Sequence, residues 1–90
     1  MIDVRYSTKF KKDMKACQKR GYDMALIKAA ISTLRVPAPL PDKNRDHALT
    51  GNYIGFHECH LLPDWLLVYQ YNEQELYLYR TGTHADLFGK

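Results

Sequence analysis

The sequence predicts an α+β protein: an antiparallel sheet with an N-terminal strand, a two-helix hairpin on one face and a C-terminal three-strand meander. Two observations support this class. Apolar residues recur at helical spacing before residue 36, and β-rich runs separated by turn residues fill the chain after residue 52. Segregation of helices and strands along a chain is typical of a sheet covered by helices. Ninety residues are enough for a single domain, 1–90, with a modest core.

The first half of the chain predicts one strand and two helices. Residues 2–6 alternate apolar and polar side chains, as a half-buried strand does. Ser7 or Thr8 can then cap a first helix, which Gly21 would end in a left-handed conformation. Asp23 is a good N-cap for a second helix. The inward-facing stripes of the two helices consist of Phe10, Met14, Cys17, Ile27, Ala30, Ile31 and Leu34.

The second half of the chain predicts a loop followed by the meander. The proline-rich segment 37–41 cannot continue a helix, and the polar segment 42–50 is expected to be a loop. β-rich runs follow at 53–61, 65–71 and 75–81, with Pro63-Asp64 and residues 72–74 as the turns between them. Residues 85–88 are expected to form one last helical turn.

The composition excludes several classes of protein. No apolar run approaches the ~18 residues that cross a bilayer, so we expect no membrane partner. The N-terminus lacks the basic-then-apolar layout of a signal peptide, which favours the cytoplasm. Cys17 and Cys59 lie far apart without a CxxC partner, and we expect both to pack as small apolar groups.

Positive charge is concentrated in the first predicted helix. The net charge is only +3, but six basic residues fall within twelve positions and are opposed by Asp13 alone. Such a stretch can contact the phosphate backbone of RNA or of the ribosome, or it can be the solvated face of a helix. The six residues are Lys9, Lys11, Lys12, Lys15, Lys19 and Arg20.

All four histidines lie between positions 47 and 84, so the chemistry is expected in the second half of the chain. A metal site at His57-Glu58-Cys59-His60 is disfavoured, because successive strand residues point to opposite faces and cannot converge on one ion. Proton transfer fits better, since histidine titrates near neutral pH. His47, His60, Asp64 and His84 can meet at one edge of a meander, although each histidine taken alone is more simply a surface residue.

Three motifs resemble those of the YafQ-like toxins of the RelE/ParE superfamily. The first is Asp46-His47-Ala48-Leu49-Thr50-Gly51, which matches the family's "DHxLxG" element. The second runs from His60 to Tyr69 and begins His60-Leu61-Leu62-Pro63-Asp64-Trp65, and the third runs from Arg80 to Gly89. They occur in the family's order and at its separations, across the whole chain. The resemblance implies a RelE-like, microbial-ribonuclease-like sheet with helices on one side.

The resemblance also implies a function: the toxin of a type II toxin–antitoxin pair, acting as an endoribonuclease that cleaves mRNA in the ribosomal A site and so inhibits translation. The family needs no metal and no cofactor. The implied partners are a cognate antitoxin, the ribosome and mRNA, with DNA contacted only indirectly through the antitoxin. Carried over by motif, the catalytic residues are His47, His60, Asp64 and His84, supported by Arg80 and Phe88.

The implied chemistry is attack of a ribose 2′-hydroxyl on the neighbouring phosphorus. His60 with Asp64 could remove the hydroxyl proton and protonated His84 could supply one to the leaving 5′-oxygen, or the two histidines could exchange roles. Arg80 would stabilise the charge of the phosphorane, and Phe88 would stack a splayed base.

The chain departs from the family at His57 and Glu58, where members commonly carry arginine and aspartate. If the arginine binds phosphate, His57 would do so only when protonated, and Glu58 could share the base role. Two other functions stay open. One is a ParE-like DNA gyrase inhibitor on the same fold, and the other is a non-catalytic ribosome- or RNA-binding module that uses only the basic helix. Neither needs proton-transfer groups, so mutation of His84 separates both from a ribonuclease.

Overall fold

A five-stranded sheet is the centre of the computed structural model, which describes residues 1–89. The strands are β1 (Asp3–Tyr6), β2 (His47–Ala48), β3 (His57–Leu62), β4 (Trp65–Asn72) and β5 (Glu75–Gly82). Their order in the sheet is β1-β5-β4-β3-β2. Strands β3, β4 and β5 form the predicted antiparallel meander.

The two outer strands were the less predictable part of the sheet. β1 pairs with β5 in parallel, so the sheet contains one parallel pair beside its antiparallel ones. β2 pairs antiparallel with β3 at the opposite edge. Burial alternation reveals that a segment is a strand, but it carries no information about the direction of the neighbouring strand. The predicted α+β class is confirmed, and the parallel pair is an addition to it.

The predicted helical hairpin is confirmed as α1 (Thr8–Lys19) and α2 (Met24–Arg35). Ser7 caps α1, because its hydroxyl accepts a hydrogen bond from the amide of Phe10 at 2.9 Å. Asp23 caps α2 by accepting from the amide of Ala25 at 3.1 Å. Gly21 lies between the helices with a φ of 81°, a left-handed conformation that glycine adopts without strain.

Apolar side chains pack on both faces of the sheet. The helical hairpin covers one face, the helix-side face, where both cysteines are buried as predicted. Burial raises the pKa of the Cys59 thiol to about 12. The opposite face, the site-side face, is partly covered by α3 (His84–Phe88), the predicted last helical turn. The small core on the site-side face consists of Leu66, Val68 and Leu87, packed against Leu49, Phe56, Tyr79 and Phe88.

The segment between α2 and β3 differs from the prediction. The expected loop 42–50 contains a 3₁₀ turn at Asp42–Asn44 and then β2, a two-residue strand too short to leave an alternation pattern. The strand expected from residue 53 begins only at His57, because Gly51–Tyr53 forms another 3₁₀ turn and Gly55 (φ 92°) redirects the chain. Among residues 1–89, no helix combines the length and apolar character that crossing a bilayer requires.

Candidate active site

Strand β3 supplies the centre of the site through the side-chain alternation predicted from sequence. Cys59 and Leu61 point into the core under the helical hairpin. Glu58 and His60 therefore point to the site-side face. Glu58 is only 5% exposed, so its carboxylate lies at the floor of the site beside the half-buried His60.

Glu58 lies between two histidines. Its Oε1 is 3.5 Å from Nε2 of His60 on the same strand and 3.5 Å from Nε2 of His47, which is its pairing partner on β2. The Nδ1 of His47 donates to the carbonyl of Arg45 at 2.7 Å, because a carbonyl can only accept. This contact leaves Nε2 as the atom of His47 that faces the carboxylate and the substrate side.

The loop that carries His47 is held by two hydrogen bonds to the sheet. The hydroxyl of Tyr69 on β4 donates to the Asp46 carboxylate at 2.6 Å. The side-chain amide of Asn44 donates to the carbonyl of His60 at 2.7 Å. Burial, followed by the Asp46 hydrogen bond, raises the pKa of Tyr69 well above its usual value, so this hydroxyl stays a donor. His47 is thereby positioned although it is half exposed.

His84 is held at the N-terminus of α3 by Asp64. Both the backbone amide and Nδ1 of His84 donate to Oδ1 of Asp64, at 2.9 Å and 2.6 Å. These hydrogen bonds, the backbone one first, lower the pKa of Asp64. With Nδ1 directed at the carboxylate, Nε2 of His84 is left to exchange protons with a substrate. Thr83 and Asp86 form a capping box that starts the helix here.

The three histidine rings form a row across the site-side face. The ring centroids of His47 and His60 are 6.3 Å apart, and those of His60 and His84 are 5.8 Å apart. The meeting of His47, His60 and His84 at one edge is as expected. The expected pairing of His60 with Asp64 is wrong, because Asp64 bonds to His84 and the carboxylate beside His60 is Glu58.

Two cavities flank the histidine row. One, of about 570 Å³, lies beside His60 and is lined by residues 43–45, the hairpin end 60–63 and Leu26. Lys43 and Arg45 bring positive charge to it. The other, of about 520 Å³, lies beside His84 and is lined by Tyr53, Leu87 and Phe88. Phe88 is thus placed next to His84, as expected for a base-stacking residue.

Two expected supporting residues make their hydrogen-bonding and stacking contacts with groups other than the three histidines of the row. Arg80 donates from Nε and Nη2 to the carboxylate of Asp13 on α1, at 2.7 Å and 3.2 Å, and this contact raises its pKa. Two nitrogens of the guanidinium expected to meet the phosphate are therefore bonded to Asp13. His57 stacks on Tyr69 at the helix-side face of the sheet, with ring centroids 5.5 Å apart. It lies on the other face of β3 from Glu58 and His60.

The basic helix lies away from the row as well. α1 packs on the helix-side face through Phe10 and Cys17, whereas the histidines line the opposite face. Arg20 is held by Asp86 through two hydrogen bonds of 2.6 Å and 3.2 Å. The five lysines of the predicted stretch are all exposed along this helix: Lys9, Lys11, Lys12, Lys15 and Lys19. They can contact a partner's backbone, but not at the histidine row.

Sequence reasoning missed three side chains that line the cavities: Lys43, Arg45 and Tyr53. The two cations stand next to the DHxLxG motif, and their position could have indicated a role. Tyr53 left no such signal, because it was expected to begin a strand. In the structure it ends a 3₁₀ turn that directs its ring to Phe88.

A metal ion would find three converging donors in this site. One ligand atom each from Glu58, His60 and His84 lies within 4.8 Å of the others. Four adjacent strand residues cannot converge on one ion, as expected for residues 57–60. Here two donors come from one face of β3 and the third comes from α3, which only the tertiary structure brings to β3. Carboxylate and imidazole donors suit zinc and other transition metals.

Known proteins resemble this chain over nearly its whole length. A family model described as a bacterial toxin of type II toxin-antitoxin system, YafQ, matches residues 2–89. The chain is 42% identical over 88 residues to the mRNA interferase toxin YafQ of Escherichia coli K12, covering 97% of this chain and 96% of that protein.

Solved structures match over nearly the full length. A chain of the E. coli DinJ-YafQ toxin-antitoxin complex superposes with a TM-score of 0.90 and 42% identity, covering 98% of each chain. A metal-bound toxin from Helicobacter pylori gives a TM-score of 0.92 and 43% identity, covering 98% of this chain and 100% of that one. The resemblance seen in the three sequence motifs is confirmed: the chain belongs to the YafQ family of bacterial toxins of type II toxin–antitoxin systems.

Proposed function

We propose that this toxin is an endoribonuclease that cleaves mRNA on the ribosome by acid–base chemistry of its histidine row. The observation that carries the proposal is the row itself. Three imidazoles lie in a row with neighbouring ring centroids 6.3 and 5.8 Å apart, and two carboxylates are hydrogen-bonded or adjacent to them. The E. coli relative is named an mRNA interferase, which is the same activity. A gyrase inhibitor or a passive RNA-binding module would have no use for this arrangement.

His84 is the proposed general acid. Asp64 accepts a hydrogen bond from Nδ1, which holds the ring in one tautomer and orientation. Nε2 then delivers its proton to the 5′-oxygen as the P–O bond breaks. Oδ1 of Asp64 provides the negative charge beside the His84 ring and also orients that ring. The same oxygen accepts a hydrogen bond from the backbone amide of His84.

The proposed base side consists of Glu58, His60 and His47. One of these groups accepts the proton of the 2′-hydroxyl while the 2′-oxygen bonds to phosphorus, forming a 2′,3′-cyclic phosphate. Glu58 is buried and its Oε1 lies 3.5 Å from Nε2 of both histidines, so the three candidate bases form one cluster. Each positioned acid or base contributes typically ~10²–10⁴-fold to the rate.

We assign the phosphate-binding charge to Lys43 and Arg45 in place of Arg80. Both line the cavity beside His60, whereas the guanidinium of Arg80 is held by Asp13. A cation near the phosphorane stabilises the extra negative charge of the transition state. Arg80 then acts by fixing α1 to β5, which supports the site from the helix side.

The partners follow from the family and from the chemistry. A cognate antitoxin is a partner, since the family consists of type II toxins and the E. coli relative was crystallised with DinJ. The proposed substrate is mRNA in the ribosomal A site, which places the toxin in the cytoplasm. DNA would be reached only through the antitoxin.

Metal-independent chemistry is part of the proposal. The H. pylori relative is described as metal-bound, and Glu58, His60 and His84 fit such an ion. An ion there would occupy the imidazole nitrogens that the acid and base need, since only unprotonated nitrogen binds metal. Toxin stripped by a chelator before mixing with ribosomes should cleave fully, and added zinc should inhibit it. Loss of cleavage on stripping, with recovery on adding metal back, would contradict this.

A single-turnover cleavage assay on programmed ribosomes tests the function. His84→Gln should lose ~10²-fold or more in rate, the usual contribution of a general acid. The matched control is His57→Gln, the same substitution at a histidine outside the row, which should stay within a few-fold of the parent. The products should carry a 2′,3′-cyclic phosphate or 3′-phosphate and a 5′-hydroxyl. Near-normal cleavage by folded His84→Gln protein, or 5′-phosphate ends, would refute the mechanism.

A further inference from the structure

The cavity beside His84 has walls suited to a flat ligand. Its volume of about 520 Å³ lies in the range of small-molecule sites, and His84, Leu87, Tyr53 and Phe88 line it. Anything bound there lies next to the proposed general acid. For an RNA substrate, that position belongs to one of the two nucleotides that flank the scissile phosphate.

Two aromatic rings that line the cavity, those of Tyr53 and Phe88, are nearly perpendicular to each other. The rings of Tyr53 and Phe88 have centroids 5.3 Å apart and an interplanar angle of 87°. A planar base that stacks on the Phe88 ring therefore stands perpendicular to the Tyr53 ring. Stacking alone is tolerant of base identity, because every base has a π-face. Discrimination between bases requires a hydrogen-bonding group at the edge.

The hydroxyl of Tyr53 is available as such a group. Within residues 1–89 it makes no hydrogen bond, although the ring is half-buried. Two tyrosines of strand β4 differ in this respect, since Tyr69 donates to Asp46 and Tyr71 donates to the carbonyl of Leu34. A tyrosine hydroxyl can donate or accept, so it forms a hydrogen bond with a base whose edge places a complementary group within reach, and not with a base whose edge does not.

We propose that this cavity binds one base next to the scissile phosphate, stacked on Phe88 and read at its edge by the Tyr53 hydroxyl. The inference rests on the proposed function and deepens it, because it names Tyr53 as a specificity-determining residue. Loss of the Tyr53 hydroxyl would remove one hydrogen bond from the complex with the preferred base. A base that does not bond to the hydroxyl would lose nothing. The consequence is a change in base preference and not only in rate.

A purely structural role for Tyr53 predicts a different outcome. Its ring also packs near Phe56 and Tyr79, with centroids 6.5 Å away in each case. Packing requires the ring and not the hydroxyl, so Tyr53→Phe preserves it. Tyr79→Phe is the matched control: its ring belongs to the same aromatic cluster, its hydroxyl also makes no hydrogen bond within residues 1–89, and it does not line the cavity.

The experiment measures kcat/KM on ribosomes programmed with A-site codons that carry each of the four bases at the two flanking positions. In Tyr53→Phe, the ratio between the best and worst base at one position should shrink about three- to tenfold, the effect of one neutral hydrogen bond. Thermal stability and the ratio at the other position should not change. Tyr79→Phe should keep both ratios of the parent.

The outcomes separate this inference from the proposed function. A parent that cleaves no codon overturns both. A parent that cleaves, with both ratios kept in Tyr53→Phe, overturns only the reading of the base by Tyr53. The same shrinkage in Tyr79→Phe would also overturn it, since the effect would then come from the cluster and not from the cavity.

Discussion

Tyr69→Phe tests how the loop that carries His47 is held. Tyr69 is 1% exposed, and its hydroxyl donates to Asp46 over 2.6 Å. A hydrogen bond to a charged group contributes about 1.5–3 kcal/mol. Because Asp46 is exposed, its carboxylate regains water when the hydroxyl is removed, so the cost should lie near the lower limit, about 1.5 kcal/mol. For a domain of this size, that lowers Tm by about 6–12 °C.

The control for this variant is Tyr71→Phe. The hydroxyl of Tyr71 donates to the neutral carbonyl of Leu34 over 2.7 Å, so its loss should cost less, about 0.5–1 kcal/mol. Urea unfolding at pH 7 measures both free energies of unfolding. Single-turnover cleavage should fall only in Tyr69→Phe, because only Asp46 adjoins His47. Equal destabilisation of the two variants, or undiminished cleavage by Tyr69→Phe, would refute the reasoning.

The same hydrogen bond has a pH signature. Burial and Asp46 raise the pKa of Tyr69 in the folded protein above the usual value of about 10. A raised pKa contributes stability that is fully present below the unfolded value and is lost as pH rises above it. The difference in unfolding free energy between parent and Tyr69→Phe should therefore be constant from pH 7 to 9 and shrink above pH ~10. A difference that grows with pH would contradict the assigned donor.

Three further predictions concern charge. The hydrogen bond from Arg20, followed by that from the Thr83 amide, lowers the pKa of Asp86 to about 2. This carboxylate contributes stability above pH ~4 that is lost as pH falls toward 2, so Arg20→Gln should flatten the acid limb of a stability–pH curve, and an unchanged slope would count against it. Asp64→Asn keeps an acceptor for His84 but removes the charge. Its cleavage rate should fall at least roughly tenfold without loss of fold, and full activity would mean that Asp64 does not serve His84. We expect the cognate antitoxin to be acidic where it meets the basic helix, so its association should slow steeply between low and high salt, and Lys12→Glu should slow it further in stopped-flow measurements. A salt-independent rate would exclude the basic helix from the encounter.

The sequence by itself determined the helical hairpin, the meander and the histidines of the site. Ser7 and Asp23 were recognisable as caps because a cap depends only on the next few residues. Strand alternation placed Glu58 and His60 on one face for the same local reason. The motifs indicated that His47, His60 and His84 would meet, and they do.

Only the tertiary structure decided which charge partners which. Arg80 and Asp13 are 67 positions apart, and His84 and Asp64 are 20 apart. These pairs depend on how α1 packs on β5 and where α3 begins relative to the β3–β4 turn. No local pattern records such distances, so Arg80 looked available to a phosphate and Asp64 looked like the partner of His60. A motif indicates which chemistry a side chain can perform. The groups that packing brings within about 3 Å decide whether that side chain is available for it. Hydrogen bonds and ion pairs depend on distances in space and not on separation along the chain.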